Sequence, residues 1–201
     1  MKLPRSLHLP WVAALTFALA AEATWAETYV VDRSHSSVDF SIRHLVGRTK
    51  GRFGEFSGTI SYDAAKPQAS SFSGIIQVKS IDTGNERRDG HLRSADFFEA
   101  EAFPEITFES TEVTGTGEST LDVKGKLTMH GTTREVTLSV EILGTGTNPR
   151  SGKAQIGLET NFAVLCSDYG VNSWERFSAV LGDEVRIQVL IEANAESEAQ
   201  P

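Results

Sequence analysis

The stretch "LDVKGKLTMHGTTREVTLSVEIL", Leu121 to Leu143, alternates apolar and polar residues on both sides of a short polar turn. In its first half Leu121, Val123, Leu127 and Met129 fall on one face, against Asp122, Lys124, Lys126 and Thr128 on the other. After "HGTTR" the pattern returns with Val136, Leu138, Val140 and Ile142. Successive side chains of a strand point to opposite faces, so a period of two marks two half-buried strands. A join this short pairs them antiparallel, because a parallel crossover needs a dozen or more residues.

The same rhythm runs through most of the chain. "SVDFSIR" sets Val38, Phe40 and Ile42 against Ser37, Asp39, Ser41 and Arg43, and "EVRIQVLI" puts Val185, Ile187, Val189 and Ile191 on one face. Further strands are expected over Phe53 to Tyr62, Phe72 to Ile81, Glu105 to Val113 and Ala154 to Val164. The joins "DAAKPQAS", "TGTGES" and "GTGTNPRSG" are rich in turn residues. About eight antiparallel strands with one apolar face each form a sandwich, or close into a barrel that removes exposed edges. An eight-stranded barrel is filled by its own side chains or holds one small ligand, and periodicity does not choose between them.

Two segments break the alternation. "NERRDGHLRSADFFE", Asn85 to Glu99, places Leu92, Ala95, Phe97 and Phe98 near helical spacing and reads as a short helical insertion. Pro104 pushes Phe103 out of the helical region, and "EITFES" resumes the strand. Phe97, Phe98 and Phe103 would then cover one end of the sheet. The second break, Cys166 to Glu184, is a long loop carrying Tyr169, Trp174 and Phe177. Both breaks are expected at a barrel rim.

The first 26 residues read as a cleavable export signal, with Lys2 and Arg5 before the apolar run Trp11 to Ala21, which is too short to span a bilayer. Residues 27–194 would form one domain, and 195–201 a disordered tail. Lys2, Arg5 and Glu22 leave with the leader, so the mature chain is one unit more negative than the −8 of the full sequence. Such a balance argues against nucleic acid or anionic headgroups as main partners. Cys166 is the single cysteine, which excludes a disulfide within the chain. It is expected to be a small buried residue, the alternative being an exposed thiol that joins a homodimer or senses redox state.

Five blocks carry a family resemblance: "HSSVDFSIRHL", "GRFGEFSGTISYD", "IDTGNERRDGHLRSADFFEAEAFPEITFES", "GKLTMHGTTREVTL" and "LGDEVRIQVLIEA". Together, from about Tyr29 to Ala193, the chain resembles the YceI-like family, the lipocalin-like, polyisoprenoid-binding proteins of the bacterial periplasm. The resemblance implies an all-β, extended antiparallel eight-stranded barrel with an apolar tunnel for an isoprenoid or other long-chain amphiphile, and no established catalysis. Where that family pattern carries a basic or amide pair ahead of "SDYG", this chain has Leu165 and Cys166.

The chemistry-bearing residues support binding rather than reaction. There is no G-x-S-x-G elbow, and the glycine-rich "GTGE" and "GTGT" lie between strands, so they read as hairpin turns rather than phosphate loops. His35, His44, His91 and His130 have no metal-ligand spacing, and His35 and His130 read as turn-stabilising residues. The reading calls for no catalytic residue, metal or cofactor. Val38, Phe40, Ile42, Ile76, Val78, Phe108, Leu127, Met129, Leu138 and Val140 are expected to line the tunnel. Phe97, Phe98, Trp174 and Phe177 would guard its mouth, with Arg87, Arg88, His91 and Arg93 as headgroup candidates. Alternative readings are an isoprenoid-quinone carrier serving a membrane cytochrome and a stress-related interaction protein with a filled barrel.

Overall fold

The computed structural model describes residues 26–171 and 179–196. The export signal, Trp174, Phe177 and residues 197–201 of the expected tail lie outside the described residues. Among the described residues eleven strands form one antiparallel sheet: β1 (Glu27–Val31), β2 (Ser37–His44), β3 (Gly47–Phe53), β4 (Phe56–Tyr62), β5 (Ser71–Gln77), β6 (Ile81–Asp82), β7 (Glu105–Gly115), β8 (Thr120–Met129), β9 (Thr132–Thr147), β10 (Ala154–Leu165) and β11 (Leu181–Ala195). The helix α1 (Glu86–Arg93) lies between β6 and β7.

The eleven strands are eight arms of a closed antiparallel barrel, the closure that the family resemblance implied and that the alternation left open beside a sandwich. β1 and β2 form one bent arm and β3 and β4 the next, since β2 pairs with β3 (Val38 opposite Phe53) and β1 with β4 (Tyr29 opposite Ile60). β5 and β6 make a third arm, pairing with β4 and β3 respectively. The remaining arms follow in chain order, each beside its predecessor. β11 closes the ring against both β1 and β2. Closure leaves no long edge to template aggregation. Its last pair sets Ala195 opposite Tyr29.

The arms break where the chain must bend. Between β1 and β2 a one-turn 3-10 helix, Arg33–His35, is capped by Asp32, whose carboxylate accepts from the Ser34 N–H at 2.9 Å. Between β5 and β6 a second one, Val78–Ser80, replaces what the alternation presents as a continuous strand from Phe72 to Ile81. There the Val78 N–H leaves the ladder and donates to the Pro104 carbonyl at 2.9 Å. The β8–β9 hairpin turns at His130 and Gly131, both at positive φ (51° and 72°), which suits the twist of the flanking strands.

Two buried clusters divide the interior. One packs Tyr29, Ile60, Phe72, Val113, Leu121, Val123, Leu138, Val140, Ile156, Leu158 and Ala193 at the β1 end of the barrel. The other gathers Val78, Ile81, Ala100, Ile106, Met129, Tyr169 and Val171 beneath α1 and the loop after β10.

Candidate functional site

Inward side chains are not equally covered. Val123 and Ile156, at the β1 end, are 0% and 1% exposed. Phe40, Phe162, Val185, Ile187 and Val189 point inward by the same alternation yet remain partly exposed. What they face is a cavity of about 540 Å³, within the range typical of small-molecule sites. Along that part of its length the barrel's own side chains leave open space.

Residue choice opens that space. Phe40 lies flat over Gly51, where a Cβ would meet its Cζ at 2.3 Å, and Phe108 lies over Gly125, where a Cβ would meet its Cζ at 2.5 Å. Glycine under each ring lets an aromatic side chain lie back against the wall instead of crossing the interior. The polar groups on the wall are few and occupied. Thr160 is buried and donates to the Ser139 carbonyl at 2.8 Å. Asp39 accepts from the Ser37 hydroxyl at 2.6 Å. The wall can desolvate a hydrocarbon chain and offers it few directional bonds.

At the other end the wall turns polar. Thr83, Arg88 and His91 line it beside Phe97 and Phe98. Asn85 caps α1 by accepting from the Arg88 N–H at 3.1 Å. The Arg88 guanidinium donates to the Thr83 hydroxyl at 2.7 Å and to the Thr83 carbonyl at 2.8 Å. The same hydroxyl donates to Asp89, which is buried and also accepts from the Thr83 N–H at 3.0 Å. This triad pins the start of α1 to the rim and holds one guanidinium at the cavity edge. His91 is paired with Asp96 at 3.0 Å and stands edge-on to Phe97, with ring centroids 4.9 Å apart.

Of the residues expected to line the tunnel, Val38, Phe40, Ile42, Ile76, Phe108, Leu127, Met129, Leu138 and Val140 are on the cavity wall, and Phe97 and Phe98 stand at the rim. Val78 is not. It sits in the 3-10 turn, 1% exposed inside the packed cluster, because the strand ends before it. The four headgroup candidates separate in the same way. Arg88 and His91 reach the cavity edge, whereas Arg87 is exposed on α1 away from the wall. The Arg93 guanidinium donates to the Ile81 carbonyl at 2.8 Å, joining α1 to β6 instead of facing the cavity. Residues that the alternation placed on strands without assigning them to the wall also line it, notably Phe56, Phe162, Ile187 and Val189. Cys166 is buried on the same wall, as its small apolar character suggested.

A closed up-and-down barrel with an apolar interior, rimmed at one end by a short helix, is the architecture of a barrel that binds apolar ligands. The chain belongs to the YceI-like domain family, whose model matches residues 29–193. A UPF0312 protein of Vibrio cholerae is 37% identical over 162 residues, covering 79% of this chain and 84% of that one. One from Azotobacter vinelandii is 37% identical over 156 residues, covering 76% and 81%. Among solved structures, Burkholderia cenocepacia BcnA superposes with a TM-score of 0.74 at 26% identity, over 81% of this chain and 98% of that one. A polyisoprenoid binding domain from Saccharophagus degradans superposes with a TM-score of 0.65 over 85% and 99%, and at 16% identity it is a likeness of fold alone.

Proposed function

We propose that the protein is an exported, periplasmic carrier that holds a polyisoprenoid or similar long-chain amphiphile in the barrel, and that it binds its cargo without transforming it. The observation that carries this reading is the partly exposed inner wall: Phe40, Phe162, Ile187 and Val189 face a space that their own packing does not fill. Each methylene transferred there from water contributes about 0.8 kcal/mol, so a chain of several isoprene units binds tightly even after ordering costs. Apolar burial discriminates chain length weakly, so selectivity falls to the length of the cavity and to Arg88 and His91 at its rim. Export to the periplasm rests on the leader, with its basic start and short apolar core.

The test is mass spectrometry of organic extracts from protein expressed with its leader and purified without detergent. The control is an Ile187→Trp/Val189→Trp double variant, chosen because both side chains already border open space. A stoichiometric long-chain species is expected only in the unblocked protein, and near-ultraviolet absorbance of that species would identify a quinone. Equal extracts from both proteins, together with no uptake of an apolar fluorescent probe by either, would overturn the reading.

A further inference from the structure

The β2–β3 hairpin ends in Leu45 and Val46, and neither side chain is buried: Leu45 is 54% exposed and Val46 107%. A lone exposed valine is ordinary on a soluble protein. This pair is held outward by a constrained backbone. Leu45 has φ +49°, a left-handed conformation that non-glycine residues seldom adopt. Its N–H donates to the Val180 carbonyl at 2.7 Å, and its carbonyl accepts from the Arg43 guanidinium at 3.3 Å. His44, Thr49, Val180 and Leu181, which surround the tip, line the cavity, so the apolar tip is continuous with its rim.

Charge around the tip opposes the charge of the chain. Between Ser41 and Gly54 lie Arg43, Arg48, Lys50 and Arg52 and no acidic residue, in a chain of net charge −8. Arg43 and Arg48 are directly opposite one another across the β2–β3 ladder, an arrangement that destabilises a sheet unless an anion offsets it. Among the described residues Arg43, Arg48 and Lys50 have no ion pair, whereas Arg52 is paired with Asp82 at 3.1 Å. The nearby carboxylates on β11 are engaged elsewhere, Asp183 with Ser167 and Glu184 with Arg186. The whole-chain charge, which argues against anionic surfaces, conceals this patch.

We propose that the β2–β3 hairpin docks the barrel onto an anionic phospholipid bilayer, with Leu45 and Val46 entering the interface and Arg43, Arg48 and Lys50 meeting headgroup phosphates. Docking there brings the cavity rim to the membrane, where a long-chain ligand passes between bilayer and barrel without crossing water. The ligand exchange rests on the carrier reading above, and the docking itself does not.

The experiment is flotation of the mature protein with phosphatidylcholine vesicles, with and without phosphatidylglycerol, at low and high salt. Binding is expected only to the anionic vesicles and to weaken with salt. Val46→Asp should weaken it about tenfold or more, and Arg48→Gln or Lys50→Gln about fivefold each. Arg150→Gln, in the β9–β10 turn at the opposite end, should leave it unchanged. All four variants should take up an apolar fluorescent probe in solution as the parent does, which reports an intact barrel. Equal binding to neutral and anionic vesicles, no binding to either, or equal weakening by Arg150→Gln would overturn the docking. Flotation that follows the expected pattern in a protein that excludes the probe would leave the docking standing and sink the carrier reading.

Discussion

The two ends of the barrel are built from the same inward alternation of valine, isoleucine, leucine and phenylalanine, and they do opposite things with it. At the β1 end Val113, Leu121, Ile156 and Ala193 pack closely and exclude solvent, while Ile60, Phe72, Val123 and Leu158 of the same cluster also border the cavity. Toward α1 the inward residues of β2, β10 and β11 line the open cavity and stay partly exposed. The difference is one of reach rather than of hydrophobicity. Aromatic rings that would have crossed the middle are folded down over Gly51 and Gly125. One end supplies the stability that the other end needs in order to stay open.

Truncation should separate the two ends most sharply. Ile156→Ala opens a new void in close packing and should cost about 3 kcal/mol of unfolding free energy. Ile187→Ala only widens an existing space and should cost roughly 1 kcal/mol. Denaturant titration of both variants decides it, and equal losses would break the distinction between a packed end and an open one.

The glycines sharpen the same comparison. At Gly125 an added Cβ meets both the Phe108 ring and, at 2.6 Å, the backbone carbonyl of Glu109, which has nowhere to go. Gly125→Ala should cost about 2 kcal/mol. At Gly51 the obstacles are side-chain atoms of Phe40 and Thr83, and Phe40 borders the cavity. Gly51→Ala should therefore cost nearer 1 kcal/mol, with the ring swinging inward. Weaker uptake of an apolar probe by the Gly51 variant is the accompanying readout.

The rim offers a smaller effect. Asn85→Ala removes the cap of α1 and should destabilise that helix by about 1 kcal/mol. Hydrogen exchange should report faster opening of the α1 amides, with the strands of the β1 end unaffected.

These contrasts explain how much was legible beforehand. Alternation is plain in β2, β8, β9 and β11 because each presents a long apolar face, whereas closure into a barrel rather than a sandwich is implied only by the family resemblance. The first half of β3, "GRTKG", shows no apolar alternation because its inward positions are Thr49 and Gly51, and the ring of Phe40 from the neighbouring strand lies over Gly51. Val78 was misplaced for the converse reason. Its spacing from Ile76 continues the period of two, but the chain bends into a 3-10 turn held by a bond to Pro104 that no local pattern announces. Hollow and filled barrels share one pattern, since the gap between opposite walls depends on side-chain direction across strands far apart in sequence. Arg88 and Arg93 look equivalent along the chain, and only the fold gives one to the cavity and the other to Ile81.

The smallest expected effect lies at the bend that joins β1 to β2 and so couples the two ends. There the Asp32 carboxylate bonds His35 Nδ1 at 2.9 Å, and Glu192 adds negative charge nearby. The bond to Asp32 holds the His35 imidazolium above its ordinary titration range, and the same bond, helped by the Ser34 N–H, holds the Asp32 carboxyl below its own. The stabilisation from His35 is full below about pH 6.5 and fades as pH rises through its raised value. The contribution of Asp32 is full above about pH 4 and is lost as pH falls through its lowered value. Both are complete only between those limits, so the bend should be firmest in mildly acidic solution. Because the pair is exposed, global stability should move little, and the sensitive measurement is the titration of the His35 ring protons by NMR. Asp32→Asn should bring that titration back toward the ordinary histidine range, and a midpoint that does not move would mean that Glu192, rather than the capping carboxylate, sets the charge at the bend.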